Sequence, residues 1–216
     1  MKITVLNGSP KGDVSVTMQY VNYLQKKFPS HEFVVHNCAQ RIRKLEKDEK
    51  SFQEVTDDIK SADVVLWAFP LYYCLVCSQY KRFIELIFER GAQACFRDKY
   101  AVSLSTSIHF FDHTAHNYIH GICDDLDMRY AGFYSAAMYD LLKKDERQRL
   151  VDFMSDLQAM VGRQAPTMKL YPSLDRRAFK YVPGRPPQAG DFQDLKGKKV
   201  LIVTDERPGN PEDANL

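Results

Sequence analysis

Short apolar runs rich in β-branched residues recur at Ile3–Leu6, Phe33–Val35, Val64–Phe69 and Ala101–Leu104, with a weaker one at Ala131–Ala137. Between them lie stretches with helical spacing: Met18, Val21, Leu24 and Phe28, then Tyr80, Phe83, Ile84, Ile87 and Phe88, then Leu150, Phe153, Leu157 and Met160. Each set falls on one helical face. The charged stretch from Arg41 to Lys60 reads as a loop with a polar helix leading into the third strand. Alternation of this kind marks an α/β domain, a parallel sheet covered on both faces. Five strands with right-handed crossovers favour the doubly wound order 2-1-3-4-5, in which a ligand site opens where the strand order reverses. Function is therefore expected on the loops after strands 1, 3 and 4 of a domain covering residues 1–162.

With 216 residues and 44% hydrophobic content, the chain can bury one substantial core. Its 30 basic and 28 acidic residues are spread along the sequence, so no general field attracts nucleic acid or an anionic membrane. Met1 runs straight into a strand-like segment, and no apolar stretch approaches the roughly 20 residues of a membrane span. The expectation is a soluble cytoplasmic protein. Five irregularly spaced cysteines (Cys38, Cys74, Cys77, Cys95 and Cys123) fit reduced thiols better than a disulfide framework. Cys74 and Cys77 form a lone CxxC that suits core packing better than a metal site, since no second pair completes four ligands.

Composition changes after the last helical stretch. Residues 163–199 carry five of the ten prolines, and nine Lys or Arg against three Asp or Glu. Residues 163–197 read as an extended basic linker. Within residues 198–216, Lys198–Thr204 has a strand pattern that either pairs with a sheet edge or opens a further domain; its likeness to a first strand favours the second.

The strand Ile3–Leu6 runs into Asn7-Gly8-Ser9-Pro10-Lys11-Gly12-Asp13-Val14-Ser15-Val16-Thr17, and an amphipathic helix follows. Glycines let the backbone turn its N–H groups inward, the helix offers its positive end, and Ser9, Ser15 and Thr17 can donate hydroxyl hydrogens to a phosphate. Helix capping alone needs one such residue, not three. The loop lacks both the G-K-[ST] ending of a nucleotide triphosphatase and the G-x-G-x-x-G of a dinucleotide fold. Cys123 and Arg129 have phosphatase spacing, but Asp124, Asp125 and Asp127 lie between them and would repel phosphate, so the match is chance. After the third strand, Pro70-Leu71-Tyr72-Tyr73 offers a proline and two tyrosines where a planar ring could lie.

These residues resemble the NAD(P)H-dependent FMN reductases and iron–sulfur flavoproteins, a branch of the flavodoxin-like superfamily. The resemblance covers roughly residues 1–160 and rests on the first-strand NGSP with Ser15 and Thr17, on Ser61-Ala62-Asp63, on Pro70 and Tyr72, and on Lys81, Phe83, Ile84 and Glu85. It implies a sheet of flavodoxin type with a C-terminal extension and bound FMN. Ser9, Lys11, Ser15, Val16 and Thr17, in a loop that includes Asp13, would hold the phosphate. Pro70, Leu71, Tyr72 and Tyr73 would border the ring, and Ser105, Thr106 and Ser107 would add contacts. It further implies NAD(P)H as donor, a quinone, free flavin or other acceptor, and a homodimer in which one subunit covers the other's flavin. Two positions depart from the pattern: Cys38 stands alone where iron–sulfur members carry a cysteine cluster, and Cys77 replaces a proline usual seven residues after Pro70. A flavodoxin-style carrier exchanging electrons with a redox protein partner, and a module that has lost its flavin, remain as alternatives.

His109, His113, His116 and His120 are spaced four, three and four apart. On a helix over residues 109–126, at about 100° per residue, they share one stripe, while Ala115, Ile119, Ile122 and Leu126 pack on another face. The expectation is that the histidines look outward or into the site. A partly solvated face is the first reading; a proton relay or substrate contact by His109, His113 and His116 is the second, and a metal site with Asp112 the weakest.

Overall fold

The computed structural model describes residues 1–172, together with Gly197 and Lys199. Five parallel strands, β1 (Lys2–Asn7), β2 (Glu32–His36), β3 (Val64–Pro70), β4 (Tyr100–Ser107) and β5 (Arg129–Ala137), form one sheet in the order β2-β1-β3-β4-β5. The helices are α1 (Val16–Lys27), α2 (Ile42–Lys47), α3 (Glu49–Ser61), α4 (Ser78–Glu89), α5 (Asp112–Asp125) and α6 (Lys144–Gly162). The charged segment holds two helices instead of one, broken at Asp48, which turns extended and caps α3 by accepting from the Lys50 N–H at 3.2 Å.

Strand alternation divides the core in two. Ile3, Val5, Val64, Leu66, Ala68, Val102 and Leu104 pack with residues of α1 and α6 on one face. Leu6, Val65, Trp67, Phe69 and Ala101 pack with residues of α2 to α5 on the other. Both faces of the central strands are thus dry, which is why their sequences read as continuous apolar runs.

The register sets Asn7 beside Ala68, and Pro70 beside Thr106, so the ends of β1, β3 and β4 open at one edge. There the chain crosses from β1 into its loop under the ring of Tyr80. The buried Tyr80 hydroxyl donates to the Leu6 carbonyl at 2.6 Å, and the Gly8 N–H donates to the Ala68 carbonyl at 2.7 Å. A Cβ on Gly8 would sit 2.5 Å from the Tyr80 ring, so the glycine is required by close approach.

Residues following α6 lie against α5. Asp124, buried at the end of α5, accepts from the backbone N–H groups of Leu170 and Tyr171 at 2.9 and 2.8 Å. Tyr171 meets His120 edge-on, with ring centroids 5.4 Å apart. The remainder of the basic segment and the strand pattern at Lys198–Thr204 fall outside the described residues, Gly197 and Lys199 apart. No described helix is long and apolar enough to cross a membrane.

Gly8→Ala is expected to destabilise the domain by roughly 1–3 kcal/mol, because Tyr80 is held by its own buried hydrogen bond and cannot yield freely. Urea unfolding measures it; an unchanged midpoint would show that the ring moves at no cost.

Candidate functional site

The open edge carries a cavity of about 440 Å³ lined by the β1 loop (Ser9, Lys11, Ser15, Val16, Thr17), the β3 loop (Pro70 to Cys74), the β4 loop (Thr106, Ser107, Ile108, Phe110) and Met138. Among the described residues no carboxylate lines it.

The β1 loop is held from within. Asn7 Oδ1 accepts from the Ser9 N–H at 2.9 Å, Ser9 Oγ from the Lys11 N–H at 3.3 Å, and the Ser9 carbonyl from the Gly12 N–H at 3.0 Å. Gly12 holds φ 60°, and a Cβ there would strike the Gln40 side chain at 2.4 Å. Ser15 caps α1, its Oγ accepting from the Met18 N–H at 3.2 Å. Thr17 Oγ1 lies 2.7 Å from Thr106 Oγ1, joining α1 to β4.

In this arrangement Ser9 and Ser15 use their hydroxyl oxygens as acceptors and keep their hydrogens free, and the Thr17–Thr106 pair keeps one more. The N–H groups of Val16 and Thr17, in the first turn of α1, have no intrahelical acceptor. With the Lys11 ammonium, these donors and the lack of a carboxylate suit a phosphate. The donor set therefore fits the phosphate end of FMN.

The β3 loop is a tight reversal in which Tyr72 and Leu75 exchange backbone hydrogen bonds of 2.7 and 2.9 Å. Its two central residues, Tyr73 and Cys74, hold φ 34° and 67°, a left-handed geometry uncommon without glycine. The loop is fastened on both sides: the Leu71 N–H donates to the Thr106 carbonyl at 3.0 Å, and Thr114 Oγ1 donates to the Cys74 carbonyl. The N–H groups of Tyr73 and Cys74 have no acceptor among the described residues. Cys77 packs beneath, its thiol donating to the Gly8 carbonyl at 3.3 Å. Cys74, by contrast, lines the cavity.

Not every sequence-derived candidate meets here. Ser105 points to the opposite face from Thr106, where its hydroxyl lies 2.9 Å from His116 Nε2. Asp13 turns to Asn37, whose Nδ2 donates to it at 3.0 Å. The histidine stripe does not form as expected, because α5 begins only at Asp112. His109 stands in the preceding loop at φ 59°, 3.5 Å from Asp112 Oδ2, and His113 is exposed. His116 and His120 are buried, contrary to the outward-facing stripe. They face the sheet because serines and aromatics on that side of β4 and β5 make a polar-lined slot: His116 bonds Ser103 at 2.7 Å and stacks on Phe133, and His120 stacks on Tyr130. None of the four histidines lines the cavity. Among the described residues, no three His, Cys, Asp or Glu side chains gather as a metal site.

Ile108, Phe110 and Met138 line the cavity without having been singled out from sequence, and Cys74, read there as a core-packing residue, lines it too. Asp112 supports the β4 loop, accepting from Ser107 Oγ at 2.6 Å and from Ser135 Oγ. Burial raises its pKa, but these hydroxyls and His109 outweigh burial and hold the carboxyl below its ordinary range.

Burial pushes the His116 imidazole down to about 4. At neutral pH one ring nitrogen donates to a serine and the other accepts. The unfolded chain, with an ordinary histidine pKa near 6.5, binds this proton more readily than the folded one, so folding stability falls as pH drops from about 6.5 to about 4. The loss attributable to this residue is about 3 kcal/mol. Urea unfolding of the protein and of His116→Gln across this range measures it; equal pH slopes would refute the assignment.

A family profile described as a flavodoxin-like fold matches residues 1–159. No curated protein matches the chain by sequence. Among solved structures, the chain is similar to an NADH:FMN oxidoreductase in its apo form, at 16% identity over 73% of this chain and 88% of that one, with a TM-score of 0.61. It is similar to FerB, a flavoenzyme NAD(P)H:(acceptor) oxidoreductase from Paracoccus denitrificans, at 18% identity over 73% of this chain and 97% of that one, with a TM-score of 0.55. RosB with bound 8-demethyl-8-formylriboflavin-5'-phosphate matches at 17% identity over 94% of this chain and 100% of that one, with a TM-score of 0.57. At these identities the likeness establishes the fold.

Proposed function

Because the chain belongs to the family with a flavodoxin-like fold, we propose that it is an FMN-dependent oxidoreductase passing electrons from NAD(P)H through bound FMN to a quinone, flavin or other small acceptor. The observation that carries this reading is the meeting, in one cavity, of a carboxylate-free phosphate cradle and an apolar, aromatic rim. Solved proteins of this fold include an NADH:FMN oxidoreductase and an NAD(P)H:(acceptor) oxidoreductase, which supports it.

FMN supplies the hydride chemistry when bound. The chain's own residues bind and orient. Ser9, Ser15 and Thr17 would hold the phosphate through their hydroxyl hydrogens, with Lys11 and the first N–H groups of α1. The unpaired N–H groups of Tyr73 and Cys74 are available to an acceptor at the polar edge of the ring and favour negative charge there. Ile108, Phe110 and Met138 add an apolar wall to the cavity. Among the described residues no histidine, aspartate or glutamate lines the cavity, and the chemistry we assign to the protein is positioning and charge stabilisation.

Titrating the protein with FMN and following flavin fluorescence tests the cradle. Ser15→Ala removes a donor and the α1 cap, whereas Thr17→Ala removes a donor and its bond to Thr106. Each is expected to weaken FMN by about tenfold, in keeping with hydrogen bonds to a charged group. Loss of flavin absorbance on mixing the loaded protein with NADH or NADPH is the companion result. FMN binding without bleaching would favour an electron carrier, and no binding would overturn the proposal.

The rim residues Tyr73, at 94% exposure, and Ile108, at 82%, stand open on the described unit. We read them as the contact of a homodimer that closes the cavity. Sedimentation is expected to give a dimer that Tyr73→Glu weakens; a monomer at all concentrations would refute this.

A further inference from the structure

On the far side of the β1 loop lies a second basin, of about 440 Å³, lined by Pro10, Ala39, Gln40, Arg41, Ile42, Arg43, Lys44 and Gln79. Three of these residues are cationic and none is acidic.

Three of the carboxylates near these cations have partners elsewhere. Glu46 pairs with Arg82 of α4 at 2.6 Å, Asp48 accepts from Ser51 Oγ at 2.5 Å, and Glu49 pairs with Arg90 at 3.0 Å. The side chains of Arg41, Arg43 and Lys44 make no hydrogen bond or ion pair among the described residues, and all three residues are exposed. Several cations elsewhere, among them Lys2, Lys60, Arg82, Arg90, Lys143, Arg149 and Lys169, each hold a carboxylate. A smaller cavity of about 220 Å³ shares Arg41 and Lys44 but adds Asp13 and Glu54, so an anion is favoured on the Arg43 side.

The basin adjoins the functional site along the β1 loop, since Pro10 lines the basin and its chain neighbours Ser9 and Lys11 line the site. A ligand that reaches from the site across this loop and carries a phosphate monoester at its far end would find a second set of positive charges there. Among the donors named above, NADPH has that group and NADH lacks it.

We propose that Arg41, Arg43 and Lys44 receive the 2′-phosphate of NADPH and make the protein select NADPH over NADH. The inference deepens the oxidoreductase reading and rests on it. Exposed cations each contribute up to roughly a fivefold factor toward an anion, so three together give about tenfold or more, weakening as salt rises.

Calorimetry with adenosine 2′,5′-bisphosphate and with 5′-AMP reads the basin without flavin turnover, so its failure is separate from failure of FMN binding. The bisphosphate is expected to bind about tenfold more tightly than 5′-AMP. The variant carrying Arg41→Ala, Arg43→Ala and Lys44→Ala is expected to abolish that difference while leaving FMN affinity unchanged. In turnover, the same variant raises KM for NADPH and leaves the constants for NADH unaltered. Equal binding of the two nucleotides by the unsubstituted protein, or a preference that survives the triple substitution, would overturn the proposal.

Discussion

The hydrogen bond from the buried Tyr80 hydroxyl to the Leu6 carbonyl fixes where the chain leaves the sheet. It is made in a dry interior, where an unpaired carbonyl or hydroxyl would cost about 1–3 kcal/mol. It also lays the Tyr80 ring flat against Gly8, so the backbone must pass close and then turn. Every further element of the cradle is referred to that point. Asn7 braces the Ser9 N–H, Gly12 turns under Gln40, Ser15 starts α1, and Thr17 meets Thr106 across the sheet edge.

β4 then separates two kinds of polar residue by alternation. Thr106 faces α1 and belongs to the cavity, while Ser103 and Ser105 face α5 and hold His116 by its two nitrogens. The imidazole therefore serves as a buried bridge between helix and sheet, kept neutral by burial. Its partners satisfy groups that would otherwise be unpaired in the core. Asp124 plays a comparable part at the other end of α5, where its carboxylate binds the chain following α6.

Much of this was legible beforehand, for identifiable reasons. Continuous apolar runs such as Val64–Phe69 report burial on both faces, and from that the parallel sheet and its order follow. The turn at NGSP was readable because glycines and a capping hydroxyl suit a strand–helix junction, and its Ser9, Ser15 and Thr17 line one cavity. Ser105 and the histidines were harder. Ser105, Thr106 and Ser107 look alike in sequence, and only strand orientation tells which of them turns to the cavity. Helical spacing aligned four histidines, but it could not show that α5 starts after His109 or that the sheet beside it offers serines in place of aliphatic side chains. Ile108, Phe110 and Met138 carried no pattern at all, since an apolar residue in a loop acquires meaning only from what stands opposite it.

The sequence by itself determined the order of strands and helices, the turn after β1 and the aromatic turn after β3, because each depends on local periodicity or on the backbone demands of a short segment. The tertiary structure alone decided which side chains share a space. It buried His116 and His120, turned Asp13 away, and brought Thr17 to Thr106 across 89 positions. It also directed Glu46 to Arg82 of α4 and gathered Arg41, Arg43 and Lys44 around one basin. Those outcomes are set by the register of strands and the packing of helices on them, where a single residue's change of face reverses its surroundings.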